Sequence, residues 1–309
     1  MSVMRKVLLA GSTNPWLRER ATKAAFVKRS VRRFWPGERV EDGLEAARAL
    51  KTQGITTILT ALGENLTKPE EAEEVTRHYL DVFDKVAAAG LDAQISVKPT
   101  QLGLDLDRAM CERNLDRLLE RAEQRKNILW IDMESSPYVD PTIELYRRAR
   151  AKSPRIGIAL QAYLYRTEKD LVSLLPLGPA IRLVKGAYLE PPSVAYPQKA
   201  DVDGNFYKLC VGMMSPDAQR AGALLHIATH DAALADRLAA YATDHHVPPS
   251  SYEFAMLYGI GVSQQKRLVS EGRRLRVLIS YGEYWFPWYM RRLAERPANV
   301  WFVVKNMFG

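Results

Sequence analysis

Cysteine is scarce in this 309-residue chain: Cys111 and Cys210 are the only two, far apart and in no CxxC pair. Two isolated thiols cannot build a disulfide framework or a thiolate zinc site, and they fit a reducing compartment. No run approaches the ~20 apolar residues of a membrane-spanning helix. The early run Val7-Leu8-Leu9-Ala10 is shorter than a secretory apolar core. The phosphate loop GxxxxGK[ST], the zinc helix HExxH and the nucleophile elbow GxSxG are all missing. Gly259-Ile260-Gly261 lacks the third glycine of a dinucleotide fingerprint. His226 and His230 are four apart but fall on strand-like sequence with no evident third ligand, so no metal is expected. Low-complexity tracts and flexible linkers are absent too.

What is present is ordinary globular composition, 47% hydrophobic and 26% charged, with a formal net charge of +8. Lysine and arginine are spread along the chain. The densest run, Lys28-Arg29-Ser30-Val31-Arg32-Arg33, is short. This pattern argues against a nucleic-acid partner and suits a cytoplasmic protein with, at most, peripheral contact to an anionic membrane face.

β-rich runs alternate with helical patterns. Strands are expected at 55–62, 92–99, 128–134, 155–163, 180–188, 224–230, 251–258 and 275–281, and most read as continuous apolar runs. Helices are expected at 41–53, 69–89, 108–125, 141–152, 217–223 and 232–244. Eight strands with helices between them predict an α/β fold, a (β/α)8 TIM-like barrel. An open doubly wound sheet is the runner-up, but it lacks the glycine-rich loop after its first strand. Residues 1–50 read as an amphipathic helical segment that packs on the barrel bottom, ahead of a 51–309 catalytic domain. A C-terminal helix starting near Glu283 or Pro287 is expected over the active site.

In such a barrel, reactive groups gather at the C-terminal ends of the strands. Lys98, Asp132, Gln161, Arg182, Lys185 and Thr229 fall at those ends, on five strands. One such residue alone reads as a partner in a cross-mouth ion pair. Six together point to a large, anionic, multidentate ligand, because buried charges are costly unless paired or used. Arg291 and Arg292 suit a carboxylate, and Glu295, four residues on, can hold Arg291. The aromatic run 281–290 is read mainly as packing.

These residues carry a family resemblance. Ile181-Arg182-Leu183-Val184-Lys185-Gly186-Ala187-Tyr188-Leu189-Glu190-Pro191 resembles the signature of proline dehydrogenases. So do Ser96-Val97-Lys98-Pro99-Thr100-Gln101-Leu102-Gly103, Ile131-Asp132-Met133-Glu134, Ala228-Thr229-His230-Asp231, Lys199-Ala200-Asp201-Val202-Asp203 and Arg291-Arg292-Leu293-Ala294-Glu295, in the family's order from about Leu59 onward. The resemblance, to the short monofunctional bacterial form, implies a distorted barrel with non-covalent FAD. It implies oxidation of L-proline to Δ1-pyrroline-5-carboxylate in proline catabolism, with electrons passed to a quinone or other acceptor. It places Asp132, Met133, Gln161, Arg182, Val184, Lys185, Gly186, Ala187, Tyr188, Thr229, His230 and Glu253 around the flavin. Lys98, Arg291 and Arg292 would hold the substrate carboxylate and Glu295 would orient the arginines. Glu64 would close the site by pairing with Arg291.

The chain departs from that pattern in three places. Ala255 stands where a flavin-contacting glutamine is usual, and Gly261 where an arginine is common. Leu278, with Ser280 two residues on, replaces a tyrosine that packs on the proline ring. Two alternatives follow: a diverged paralogue oxidising a proline analogue or another nitrogen-bearing amino acid, and a non-catalytic flavin-binding barrel.

Overall fold

A computed structural model describes residues 31–63, 66–286 and 289–290. Eight parallel strands close into a barrel in the order β1 to β8, with β8 hydrogen-bonded back to β1. They are β1 Thr56–Ala61, β2 Ala93–Val97, β3 Leu129–Ile131, β4 Ile156–Gln161, β5 Ala180–Val184, β6 Leu224–Ala228, β7 Tyr252–Leu257 and β8 Leu275–Tyr281. The described helices are α1 Val40–Lys51, α2 Pro69–Ala88, α3 Arg108–Gln124, α4 Val139–Arg150, α5 Thr167–Leu174, α6 Lys199–Met213, α7 Pro216–Arg220, α8 Ala232–Asp244 and α9 Val262–Ser270.

Local chemistry starts these helices. Asp107 accepts from the amides of Ala109 and Met110 at the head of α3, and Asp231 accepts from Leu234 at the head of α8. Pro69 opens α2, and Glu71 reaches back to the Thr67 and Lys68 amides. Outward-facing strand residues such as Leu59, Ile95, Ile131, Ile181 and Ile227 are fully or nearly buried beneath the helices and form the main core. That layered burial is the dominant stabilising term.

Several strand ends are shorter than the sequence suggests. The residues past Val97, Ile131, Val184 and Ala228 leave the ladder to form the mouth loops. Three helices escape the apolar periodicity. α5 has only eight residues, α6 carries Gly204 and Gly212 and confines its apolar stripe to its second half, and α9 buries only Gln265 and Leu268. The expected position of the N-terminal segment is corrected for its last part. α1 packs on the outer wall against β1 and β8, not on the barrel bottom, and Gly43 lets it approach Leu59 and Tyr281 closely. Residues 1–30 lie outside the described residues, as do 287–288 and 291–309, which hold nearly all of the expected C-terminal helix.

Candidate active site

The strands alternate, and their second face fills the barrel. The inward register runs through Gln94-x-Ser96-x-Lys98, Trp130-x-Asp132, Gly157-x-Ala159-x-Gln161, Arg182-x-Val184, His226-x-Ala228, Glu253-x-Ala255 and Arg276-x-Leu278-x-Ser280. Burial loosens at the C-terminal ends. Lys98, Asp132, Val184 through Tyr188, Ala228, His230 and Leu257 are half-buried while most residues below them are buried, so the mouth is open at this end.

Arg182 is the central charge. Its side chain is 4% exposed and ion-paired to Asp132, and its Nη2 donates to Ser96 Oγ at 3.0 Å. Ser96 in turn donates to Asp132 Oδ1 at 2.9 Å. Burial pulls the guanidinium below its ordinary pKa, and the Asp132 carboxylate opposes that shift. Nη1 finds no hydrogen-bond partner among the described residues. The guanidinium lies over the Trp130 ring, 5.3 Å from its centroid.

Around Arg182 the mouth loops are fastened to one another. Gln101, on the 3-10 turn after β2, donates to the carbonyls of Ala61 at 3.1 Å and Gly63 at 2.8 Å. Its Oε1 accepts from the Lys98 amide at 3.3 Å. Thr100 gives Glu134 two hydrogen bonds, 3.2 and 2.7 Å, and Gln161 Nε2 donates to the Glu134 carbonyl at 2.8 Å. Glu190 accepts from the Ser136 amide at 2.7 Å and its hydroxyl at 2.6 Å, so the loop after β5 is clasped to the loop after β3. Gly186 has φ +115°, and a Cβ there would collide with the Tyr163 ring.

Lys185 pairs with Asp203 at 2.6 Å and Asp231 at 3.2 Å, and Lys199 meets the same two carboxylates from outside. Thr229 is buried and accepts from the Asp231 amide at 3.1 Å. His230 Nε2 lies 3.3 Å from the Leu257 amide and accepts from it. Met133 is buried beside Asp132. The structure therefore brings Asp132, Met133, Gln161, Arg182, Val184, Lys185, Gly186, Ala187, Tyr188, Thr229 and His230 to one end of the barrel, with Lys98 among them.

Glu253 is the exception and corrects the expectation that it lines the cofactor. It sits at the start of β7, 1% exposed, with both oxygens engaged at the barrel floor. Arg276 Nε holds one oxygen, Arg274 Nη2 lies 3.2 Å from the other, and His226 Nε2 is 2.8 Å away but off the ring's N–H direction. Burial alone would raise this carboxyl; His226 and Arg276 reverse that and hold it well below the usual carboxylate range. Glu64, Arg291, Arg292 and Glu295 lie outside the described residues.

Of the departures, Leu278 packs half-buried inside the barrel against the cluster of Ile58, Trp130 and Ala180. Gly261 has φ +65° and a Cβ there would press on Met256 Cε at 2.8 Å, a conformation that disfavours any side chain. Trp130, Gln94, Ser96, Gln101 and Glu190 also build the site, beyond the residues that the sequence assigns to it. The period-two pattern Gln94-x-Ser96 on β2 and Trp130-x-Asp132 from β3 is the signal that points to the first three.

The sequence model of the proline dehydrogenase family matches residues 43–305. "Proline dehydrogenase 2" of Bacillus subtilis (strain 168) is 37% identical over 297 residues, 93% of this chain and 96% of that one. "Proline dehydrogenase" of Deinococcus radiodurans is 35% identical over 308 residues, 98% of this chain and 97% of that one. Among solved structures, proline utilization A (PutA) from Bdellovibrio bacteriovorus, inactivated by N-propargylglycine, superposes with a TM-score of 0.81 at 21% identity. The match covers 94% of this chain and 36% of that longer one, and shows a shared fold. Family model, relatives and barrel agree that the chain belongs to the proline dehydrogenase family.

Proposed function

We propose that the barrel binds FAD at its C-terminal mouth and oxidises L-proline to Δ1-pyrroline-5-carboxylate, passing electrons to a quinone or similar acceptor. The observation that carries this reading is Arg182: a buried cation with, among the described residues, one carboxylate partner and one nitrogen left without an acceptor. A buried donor left unmade is expensive, so the site suits an acceptor supplied by a ligand. The residues fit a flavin in other respects. The half-buried Val184–Tyr188 stretch offers backbone amides beside Gly186, whose missing Cβ lets the chain lie against Tyr163. Lys185 belongs to this stretch, and Thr229 and His230 flank it from the end of the next strand.

Bound there, FAD supplies the hydride acceptor for the carbon beside the substrate nitrogen. The protein's work is orientation and electrostatics. Arg182, fixed on Asp132 and Ser96, places positive charge where negative charge grows. Lys98, which makes no ion pair among the described residues, is available for the substrate carboxylate, with Arg291 and Arg292 as its partners by family pattern. Among the described residues no buried, unpaired base adjoins the site, which suits an amine that binds already deprotonated. Peripheral contact with an anionic membrane face, consistent with the charge of +8, would bring the quinone within reach; no described helix is long and apolar enough to cross a membrane.

The purified protein is expected to show flavin absorbance that bleaches anaerobically with L-proline. A colourless protein that takes up no FAD would overturn the proposal. Leu278 on the barrel's inner face motivates running ring-size and open-chain analogues alongside. Bleaching by one of those and not by proline would assign the diverged substrate instead.

A further inference from the structure

Among the described residues the hydrogen bonds of Arg182 run through one nitrogen: Nη2 serves both Ser96 Oγ, at 3.0 Å, and Asp132 Oδ1. A guanidinium tied at one tip and at its own Cα can still swing about the line joining them. A flat surface against it removes that freedom. Trp130 is that surface, fully buried, with the guanidinium carbon 5.3 Å from its ring centroid.

Trp130 is itself immobilised from three directions. Its Nε1–H donates to Gln94 Oε1 at 2.7 Å. The His226 ring backs it with centroids 4.2 Å apart. Across β4, Gly157 leaves the space the indole fills: a Cβ there would lie 2.5 Å from two ring carbons. His226 lies 2.8 Å from Glu253, which Arg274 and Arg276 hold at the floor. The chain of contacts is continuous from the barrel floor to the mouth.

We propose that Trp130, seated in the space left by Gly157 and backed by His226, is a positioning residue that fixes the plane of the Arg182 guanidinium at the mouth. The inference rests on the reading that Arg182 acts on the flavin, and it adds a second tier beneath the mouth that sets how well Arg182 does so. Small misplacements of a fixed charge are costly to rate, because preorganisation is what the charge contributes.

The test compares Trp130→Leu, Trp130→Phe, Gly157→Ala and Arg182→Lys as purified, flavin-loaded proteins. Trp130→Leu removes the flat face and is expected to lower kcat by about tenfold or more and to shift the bound flavin's midpoint potential, with KM for L-proline changed by less than about threefold. Trp130→Phe keeps a ring and restores most of both. Gly157→Ala removes no group but displaces the indole, so it moves kcat and potential in the same direction by a smaller factor. A packing role alone would lower the melting temperature and leave potential and kcat in place. Trp130→Leu and Gly157→Ala proteins with kcat within about twofold of the parent and an unshifted potential would overturn the proposal. If Trp130→Leu fails to fold, Gly157→Ala decides. Arg182→Lys separates the two layers: a large loss there with unaffected shelf variants leaves the Arg182 reading intact and removes the shelf, whereas an unaffected Arg182→Lys removes the reading itself.

Discussion

At the floor of the barrel, Glu253 meets Arg274, Arg276 and His226, and Arg276 goes on to the Thr57 carbonyl at 3.0 Å and Asp92 at 2.8 Å. At the mouth, Arg182 meets one carboxylate and one hydroxyl and, among the described residues, keeps a nitrogen without a partner. Both are buried, and both lie on the inward face of the same closed sheet. The floor satisfies its charges within the protein, which makes it a structural joint. The mouth leaves a donor over, which makes it a receptor. The same residue types thus read as stability or as function according to whether their bonds are complete.

The largest expected effect breaks the floor. Glu253→Ala leaves Arg276 buried at 3% exposure with only the solvent-facing Asp92 as counter-charge. Removing one partner of such a buried pair costs about 3–5 kcal/mol. Denaturant unfolding should show that loss, with the surviving folded, flavin-loaded protein retaining more turnover than an Arg182 variant. A loss below about 1 kcal/mol would mean that the floor is solvated and the contrast with the mouth is not one of completeness.

Next comes the mouth. Arg182→Met should cut turnover about 10²- to 10³-fold, the range for removing a preorganised charge from a reacting centre. Stability should fall less than in Glu253→Ala, because the abandoned Asp132 side chain is 19% exposed and reaches water. Equal destabilisation by both variants, with undiminished turnover in the second, would reverse the assignment of the two ends.

Acid sharpens the comparison more gently. His226 is fully buried, and burial keeps its pKa below the ordinary value although Glu253 pulls the other way. A depressed histidine pKa means that the unfolded chain takes up a proton which the folded chain refuses. Its contribution is therefore whole above about pH 6.5 and is lost as pH falls, by up to about 1.4 kcal/mol per unit. The depressed Glu253 carboxyl adds a second loss at lower pH, below the ordinary carboxylate range. His78, also lowered by burial, titrates in the same sense, so the comparison needs a variant. His226→Asn should be less stable than the parent at pH 8, with a shallower decline between pH 6.5 and 5. Parallel slopes for parent and variant would show that His226 is not the group refusing the proton.

The sequence made the mouth more legible than the floor, for a physical reason. Residues at strand ends are followed by loops with recognisable chemistry, such as Lys98-Pro99-Thr100 and Lys185-Gly186-Ala187, and a barrel assigns those ends to the site. Residues lower on the strands are interpreted only after the inward face is known. Gln94-x-Ser96 and Arg276-x-Leu278-x-Ser280 do alternate, but the apolar outward residues dominate the run, so the strands read as uniformly apolar. Glu253 reads as a mouth residue for the same reason: polarity on a strand is visible in sequence, whereas height along the barrel is not. Trp130 and Gly157 form a pair across β3 and β4 that no local pattern couples. α6 escapes the apolar periodicity because its buried Phe206, Leu209, Cys210 and Met213 gather in its second half while its first turns serve Lys199 and Asp203.

The smallest expected effect lies at the rim. Lys199 and Lys185 share Asp203 and Asp231, but Lys199 is 73% exposed and Lys185 25%. Hydrogen bonding to Asp203 raises the Lys199 pKa, yet an ammonium so open to water is screened and gives up side-chain entropy to hold its pairs. Lys199→Met should therefore change stability by less than about 0.5 kcal/mol, and 0.5 M salt should erase even that. Lys185→Met should cost more and should weaken flavin retention, since it removes the inner cation and leaves two carboxylates facing only the exposed lysine. If thermal unfolding and flavin release rank the two variants the other way, the rim charges hold the mouth together from outside, and the line between a self-sufficient floor and a ligand-completed mouth would have to be drawn higher on the barrel.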